Sequence, residues 1–226
     1  ILPASRDGAD LFTTDDRLKL LSFTGSPDVG WDLKARCGKK KVVLELGGNA
    51  GVIVSHGANL DVAVAKCVVG GFSYSGQVCI HTQRIYVLQD FFEAFAGKFV
   101  EKVQQLKPGN PLDPETDMAV MIDLPNAERV ESWVNKAVAS GAKILAGGKR
   151  EGSFMRPTVL TDTREEMQVC SSEVFGPVVV IEPVATFKEA ITRINSGRFG
   201  LQAGVFTDSL SEMNQAFDQL HVGGVI

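Results

Sequence analysis

The sequence predicts an α/β fold in which a mostly parallel sheet carries helices on both faces. Short apolar runs typical of buried strands alternate with segments of helical periodicity along the chain. Strands that alternate with helices favour right-handed crossovers and a largely parallel sheet. One helical segment, residues 60–72, is apolar nearly all round, as a helix buried against a sheet would be.

The predicted strands are short, rich in Val, Ile and Leu, and mostly bounded by glycine, proline or charged residues. They comprise 20–24, 41–46, 49–55, 85–89, 143–146, 157–161, 178–184, 203–206 and 225–226.

The predicted helices have apolar residues on one face or breakers at their ends. They comprise a short helix or turn at 10–16, a segment that ends near Cys37, and 60–72, 91–106, 125–140, 187–195 and 209–220. Phe92, Phe95 and Phe99 share one face of their helix, which indicates core packing rather than a cofactor contact.

Composition and charge exclude several classes of partner. The 226 residues carry a formal net charge of −4 and no basic footprint for nucleic acid or an anionic membrane. No apolar run reaches the roughly 18 residues of a membrane span, and we find no signal peptide. The four cysteines form no Cys-x-x-Cys pair and the three histidines are scattered, so we expect no metal site. Unpaired cysteines favour a reducing compartment, and we expect a cytoplasmic protein.

Cys79 is the first candidate for chemistry. It lies in a polar, glycine-containing stretch between the apolar segment that ends at Phe72 and the strand-like run that begins at Arg84. A thiol at such a junction can be held rigidly and still be reached, as a nucleophile requires. A free cysteine is more often a small buried hydrophobe, and that alternative stays open on the residues alone. His81, Thr82 and Gln83 follow it and could line the mouth of a substrate site.

Glu45 is the second candidate, in the run Leu-Glu-Leu-Gly-Gly. The glycines let other groups approach closely. Burial would raise the pKa of such a carboxyl toward neutrality, which suits a general base. The alternative is an ordinary carboxylate at the surface end of a strand.

The turn at Gly25 and Ser26 is the third candidate. A strand, a Gly-Ser turn and a helix start leave backbone N–H groups free to bind a phosphate. Ser26 and Asp28 are also good helix caps, so the turn could equally be a capped helix start.

Three motifs resemble the aldehyde dehydrogenase superfamily in their order and separations: Leu-Glu-Leu-Gly-Gly around Glu45, Gly-Gln-Val-Cys ending at Cys79, and the run from Glu173 to Pro177. The resemblance covers essentially the whole chain, although the family chain is about twice as long. It implies the family's catalytic domain at 47–226, preceded at 1–46 by the tail of a Rossmann-like dinucleotide-binding domain. The chain would then be an internal fragment that lacks the N-terminal part of the cofactor domain and the C-terminal end.

The resemblance also implies the chemistry. Cys79 would attack the aldehyde, giving a thiohemiacetal and then a thioester, and Glu45 would activate the water that releases a carboxylic acid. NAD or NADP would be the cofactor. Gly25, Ser26 and Leu46 would lie near it, with Glu173 on the nicotinamide ribose hydroxyls and Phe175 in apolar contact with that ribose.

Several consequences of the resemblance concern the parent protein. A small aldehyde is the expected substrate, and a homo-oligomer, either a dimer or a tetramer, is the expected assembly. Two alternatives remain: a thiol enzyme that transfers acyl groups without a redox step, which would need a histidine partner such as His81, and a truncated domain without catalysis.

Overall fold

The computed structural model describes residues 5–226, which form two compact units, one ending at Gly47 and the other spanning Gly48–Ile226. Residues 1–4 of the predicted first domain lie outside the described part of the chain. Each unit has its own apolar core.

The first unit is a small α/β arrangement. Its elements are α1 (Arg6–Thr14), β1 (Leu20–Thr24), α2 (Pro27–Arg36) and β2 (Lys41–Glu45). The two strands are parallel, with Thr24 paired to Glu45 at their carboxyl ends. Leu21, Leu33 and Cys37 form the core between the strands and α2.

The second unit contains the remaining elements. They are β3 (Ala50–Val54), α3 (Leu60–Phe72), an irregular turn (Ser73–Gly76), β4 (Thr82–Leu88), α4 (Gln89–Gln104), α5 (Leu124–Ala139), β5 (Lys143–Ala146), β6 (Arg150–Glu151), β7 (Phe154–Met155), β8 (Thr158–Thr161), α6 (Gln168–Ser171), β9 (Val178–Val184), α7 (Phe187–Asn195), β10 (Gln202–Phe206), α8 (Leu210–Gln219) and β11 (Gly224–Val225).

Seven strands form one sheet in the order β11-β10-β3-β4-β9-β8-β5. Only β5 runs antiparallel to its neighbour, and β6 and β7 form a separate two-stranded hairpin. The three central strands β3, β4 and β9 are buried over nearly their whole length, because helices cover both of their faces.

Alternation along β9 shows which helices cover which face. Val179 and Ile181 pack into the cluster formed with α3 and α4. Val178 and Val180 point the other way, into the cluster formed with α5 and α6, and Val184 joins the cluster with α7 and α8 on that same face. This confirms the predicted class, a mostly parallel sheet with helices on both faces.

The structure differs from the prediction mainly in short elements. The first helix spans Arg6–Thr14 rather than 10–16, and β4 begins at Thr82 rather than at residue 85. The hairpin and α6 were not predicted, because strands of two residues and a helix of four are too short to show periodicity. Within residues 5–226, no helix combines the length and the apolarity that crossing a bilayer would require.

Candidate active site

Cys79 lies in the irregular segment that joins α3 to β4. After α3 the backbone turns sharply, with Tyr74, Ser75 and Gly76 at φ values of 54°, 56° and 69°. Left-handed backbone at residues other than glycine costs of order 1–2 kcal/mol per residue and persists only where neighbours hold it. Here the Ser75 hydroxyl donates to the Ala119 carbonyl at 2.7 Å. The strained turn is therefore anchored just before Cys79.

Gly76 brings this turn against the loop that carries Phe175. A side chain at Gly76 would collide with the carbonyl of Gly176, so only glycine allows the two backbones to approach this closely. Phe175 itself has a left-handed backbone, at φ 45°, and its side chain is 40% exposed. The two irregular loops thus support each other, and the phenyl ring remains available for contact.

The thiol of Cys79 differs from the other three in its accessibility. It is partly exposed, whereas Cys37, Cys67 and Cys170 are buried. Burial raises the pKa of Cys67 to about 12 and also raises the pKa of Cys170. Because the thiolate is the nucleophilic form, these environments make the thiols of Cys67 and Cys170 inert. Cys79 is the cysteine that a substrate can reach.

Gly48 contacts both Cys79 and Glu173. Its N–H donates to Oε1 of Glu173 at 2.8 Å. A side chain at Gly48 would collide with the carbonyl oxygen of Cys79, so its Cα lies directly against the backbone of the cysteine. The structure therefore brings the predicted nucleophile and the predicted ribose-binding carboxylate into one site of the second unit.

Glu173 is half-buried, and burial raises the pKa of its carboxyl. The Gly48 N–H and the guanidinium groups of Arg129 and Arg198 oppose this effect. Arg129 also donates to the Val174 carbonyl at 2.9 Å, which helps to fix the loop. One oxygen of Glu173 accepts from Gly48, and its other oxygen remains available to a ligand hydroxyl.

The remaining predicted residues lie together in the first unit. Because β1 and β2 are parallel, the segments that follow them meet at one edge, where the Gly25 N–H donates to the Glu45 carbonyl at 3.0 Å. Ser26 occupies the N-cap position of α2, but its side chain makes no capping hydrogen bond. Gly30 on α2 packs closely against the Leu46 side chain. Gly25, Ser26, Glu45 and Leu46 thus surround the amino end of α2.

The side chain of Glu45 is exposed at the end of β2. From the sequence we expected burial to raise the pKa of this carboxyl, but the side chain is not buried. A role for Glu45 therefore does not depend on desolvation. It depends on the position of Glu45 in the chain, which continues through Leu46 and Gly47 to Gly48.

The prediction that His81, Thr82 and Gln83 line a substrate mouth is wrong. All three are buried, because β4 begins at Thr82 and carries them inside the unit. The His81 ring has its Nε2 2.9 Å from the Gly71 carbonyl, and burial lowers its pKa to about 4. Over residues 5–226 no hydrogen bond links it to Cys79.

Sequence reasoning gave no role at the site to Gly48 and the wrong role to Gln83. The contact of Gly48 with Cys79 depends on tertiary proximity that no local pattern reveals. Gln83 is fully buried. The one available signal was a run of three polar residues, including Gln83, directly before the apolar part of a strand. Such polar residues are more often solvated than buried.

In the described part of the chain, no group of three or more His, Cys, Asp or Glu side chains is placed to hold a metal ion.

We predict that an alkylating agent such as iodoacetamide modifies Cys79 well before the other three cysteines of this chain in the native protein. Exposure gives the reagent access to Cys79, while burial excludes it from Cys67 and Cys170. Peptide mass spectrometry over a time course measures the order. Labelling of a buried cysteine at the rate of Cys79 would contradict the assignment, and full labelling of all four in urea is the control.

We predict that His81 makes the protein less stable in mild acid. Its pKa is 6.5 in an unfolded chain and about 4 when buried, so between these values the unfolded state binds more protons. The contribution of the neutral His81 ring to stability is fully present above the upper pKa and is lost as the pH falls toward the lower one. At about pH 5 the free energy of unfolding should be lower by roughly 2 kcal/mol, at about 1.4 kcal/mol per pKa unit. Urea unfolding at about pH 5 and about pH 7.5 measures the free energy of unfolding.

In that comparison the variant His81→Asn should remove most of the pH dependence of the free energy of unfolding. Asparagine does not titrate, and its side-chain amide keeps a donor for the Gly71 carbonyl. His56→Asn is the matched control, because His56 is exposed and should leave the dependence as in the wild type. Equal behaviour of the two variants would exclude His81 as the cause.

Comparison with known proteins identifies the family of this chain. The model of the aldehyde dehydrogenase family matches residues 1–226. A 3-sulfolactaldehyde dehydrogenase from Priestia aryabhattai is 44% identical over 97% of this chain and 47% of its own length. The crystal structure of aldehyde dehydrogenase 21 from Physcomitrella patens, in complex with the reaction product succinate, superimposes with a TM-score of 0.97 at 47% identity, covering 100% of this chain and 47% of that one.

A third similar protein is the glyceraldehyde-3-phosphate dehydrogenase GapN from Methanocaldococcus jannaschii, whose structure was determined in complex with NADP. It has a TM-score of 0.93 at 37% identity, covering 96% of this chain and 47% of that chain. The chain spans about half the length of the curated relatives it matches. On the match over its whole length, the chain belongs to the aldehyde dehydrogenase family.

Proposed function

We propose that the protein oxidises an aldehyde to a carboxylic acid with NAD or NADP, and that this chain carries its nucleophile. One observation supports the proposal most directly: Cys79, whose thiol is accessible, lies with its backbone carbonyl against Gly48, and the Gly48 N–H donates to the carboxylate of Glu173. The domain assignment follows, with 47–226 as the catalytic domain and 1–46 as the tail of the dinucleotide-binding domain.

Cys79 begins the reaction as its thiolate. The sulfur attacks the carbonyl carbon of the aldehyde, a C–S bond forms, and the carbonyl oxygen becomes an oxyanion. Backbone N–H groups stabilise such an oxyanion when they are free and already oriented. Among the described residues the N–H of Cys79 has no acceptor, so it can donate to the oxyanion. The rigid turn before it keeps this N–H in place.

A nicotinamide dinucleotide fits the residues available. Glu173 offers a carboxylate oxygen that is not engaged by Gly48, which suits the hydroxyls of a ribose, and the exposed ring of Phe175 offers apolar contact beside it. In the first unit, Gly25 and Ser26 leave the amino end of α2 without a side-chain cap, which suits a pyrophosphate, with Leu46 adjacent. When bound, the nicotinamide supplies the hydride acceptor.

After oxidation the acyl group is held on Cys79 as a thioester, and we assign Glu45 as the base that activates water. Its exposed carboxylate can reach solvent, and only Leu46 and Gly47 separate it from Gly48 in the chain. Water then attacks the thioester carbon, the C–S bond breaks, and the thiol is regenerated as the carboxylic acid leaves. A similar protein that was crystallised with succinate as its product supports an acid product.

The alternatives have less support. An acyl-transfer enzyme without a redox step needs a histidine paired with Cys79, and His81 is instead sealed against Gly71 with a lowered pKa. A truncated domain without catalysis does not explain an accessible thiol on a strained, anchored turn. We further propose that the parent protein is a cytoplasmic homo-oligomer, a dimer or a tetramer, as the family resemblance implies.

We predict that Cys79→Ser lowers NAD(P)-dependent aldehyde oxidation by at least about a thousandfold, because a serine hydroxyl is a far weaker nucleophile at neutral pH. Cys67→Ala, at a buried cysteine of the α3 core, is the matched control and should keep turnover near the wild-type value. Turnover is followed by nicotinamide absorbance with a panel of aldehydes and both cofactors. Retained activity in Cys79→Ser would end the proposal.

In the same assay Glu45→Gln should give a burst of reduced nicotinamide followed by slow turnover, because the thioester forms at the normal rate but is hydrolysed slowly without the base. Intact-protein mass spectrometry should detect the acylated enzyme. A steady rate without a burst or acyl adduct would remove Glu45 from the hydrolytic step.

A further inference from the structure

The loop that carries Glu173 is held by side chains rather than by a strand ladder. Between α6 and β9, residues 172–177 form neither helix nor strand. The peptide groups on both sides of Glu173 are nevertheless hydrogen-bonded, and their partners are buried amide side chains from β4 and from the residue before β3.

Gln83 makes the closest set of these contacts. It is fully buried on β4, and its Nε2 donates to the carbonyls of Val169 at 2.8 Å and Ser172 at 2.7 Å. Its Oε1 accepts from the N–H of Val174 at 2.9 Å. Only one orientation of the amide satisfies two carbonyls and one N–H, so the geometry fixes which end is oxygen. Gln83 therefore binds the residue before Glu173 and the residue after it.

Asn49 reinforces the same segment. Its Nδ2 donates to the carbonyls of Cys170 at 2.7 Å and Ser172 at 3.2 Å. Its Oδ1 accepts from Nε of the buried Arg84 at 2.8 Å, which fixes this amide as well. Ser172 thus receives two amide donors at one carbonyl, directly before Glu173.

We propose that Gln83 is a positioning residue for Glu173, and that it sets the loop so that this carboxylate meets both the Gly48 N–H and the ribose diol of a nicotinamide dinucleotide. The inference rests on the proposed function. Because Gln83 forms hydrogen bonds to the backbone on both sides of Glu173, the Glu173 side chain can move only by rotation about its own bonds. The carboxylate is then already oriented before the ligand arrives, which lowers the entropy cost of binding.

A purely structural role would be an amide that fills a polar gap in the core. Such a residue would affect stability without a selective effect on the dinucleotide. Positioning instead predicts that the loss appears in the interaction with the dinucleotide and depends on the carboxylate of Glu173. The two roles therefore give different kinetic results.

The test compares Gln83→Met with the wild type in the protein that carries this chain. Methionine has a similar volume and cannot donate to Val169 and Ser172 or accept from Val174. The KM for NAD or NADP should rise about tenfold, as expected for the loss of a hydrogen bond to a charged group. The rate of Cys79 alkylation by iodoacetamide without dinucleotide should change less than about twofold, because the turn that holds Cys79 is anchored by Ser75 and Ala119 instead.

Two further variants make the result specific. Phe99→Leu lowers stability in the α3–α4 core, away from this loop, and should leave the dinucleotide KM as in the wild type. In a Glu173→Gln background, adding Gln83→Met should raise the KM less than about twofold, because the interaction that Gln83 supports is already lost. If Gln83→Met does not fold, Gln83→Asn carries the test, since it keeps a neutral amide but its shorter side chain cannot reach Val169, Ser172 and Val174 together.

An unchanged dinucleotide KM in a folded Gln83 variant, or additive effects with Glu173→Gln, would overturn the inference. Such a result in an active wild-type protein leaves the proposed function intact. An inactive wild type, or an active Cys79→Ser protein, would instead count against the proposed function itself.

Discussion

The hydrogen bond from the Gly48 N–H to the carboxylate of Glu173 joins parts of the second unit that are distant in the sequence. The same glycine lies against the carbonyl of Cys79, where any side chain would collide. One residue without a side chain therefore brings the backbone of Cys79 and the carboxylate of Glu173 to one place. Because both contacts use the backbone of Gly48, a shift of its peptide would affect both groups together.

Behind this site lies a layer of buried polar side chains. Gln83 and Arg84 enter the unit at the start of β4, where the rest of the strand is apolar, and Asn49 precedes β3. Burying polar groups is costly unless they are hydrogen-bonded. Arg84 donates to Asn49, to the Tyr86 hydroxyl and to the carbonyls of Arg193 and Ile194. These contacts offset the cost of burial and give the loop before β9 a fixed shape.

The apolar elements could be predicted from the sequence because their signal is local. The helix at Leu60–Phe72 and the strand at Val178–Val184 have the predicted bounds, since burial on all sides leaves an uninterrupted apolar run. Cys79, Glu45 and Glu173 could be named from short motifs and their order. The burial of Gln83 and the contact of Gly48 with Cys79 could not, because both depend on partners that are distant in the sequence. The exposure of Glu45 also differs from the apolar setting that its neighbours suggested.

The most direct measurement of the central claim is a crystal structure of the protein with NAD or NADP bound. We predict that the Glu173 carboxylate accepts from the ribose hydroxyls next to the nicotinamide at about 2.7 Å, while keeping its bond to the Gly48 N–H. The nicotinamide ring should lie beside the sulfur of Cys79. A dinucleotide bound with its nicotinamide away from Cys79, or with Glu173 turned away from the ribose, would contradict the account.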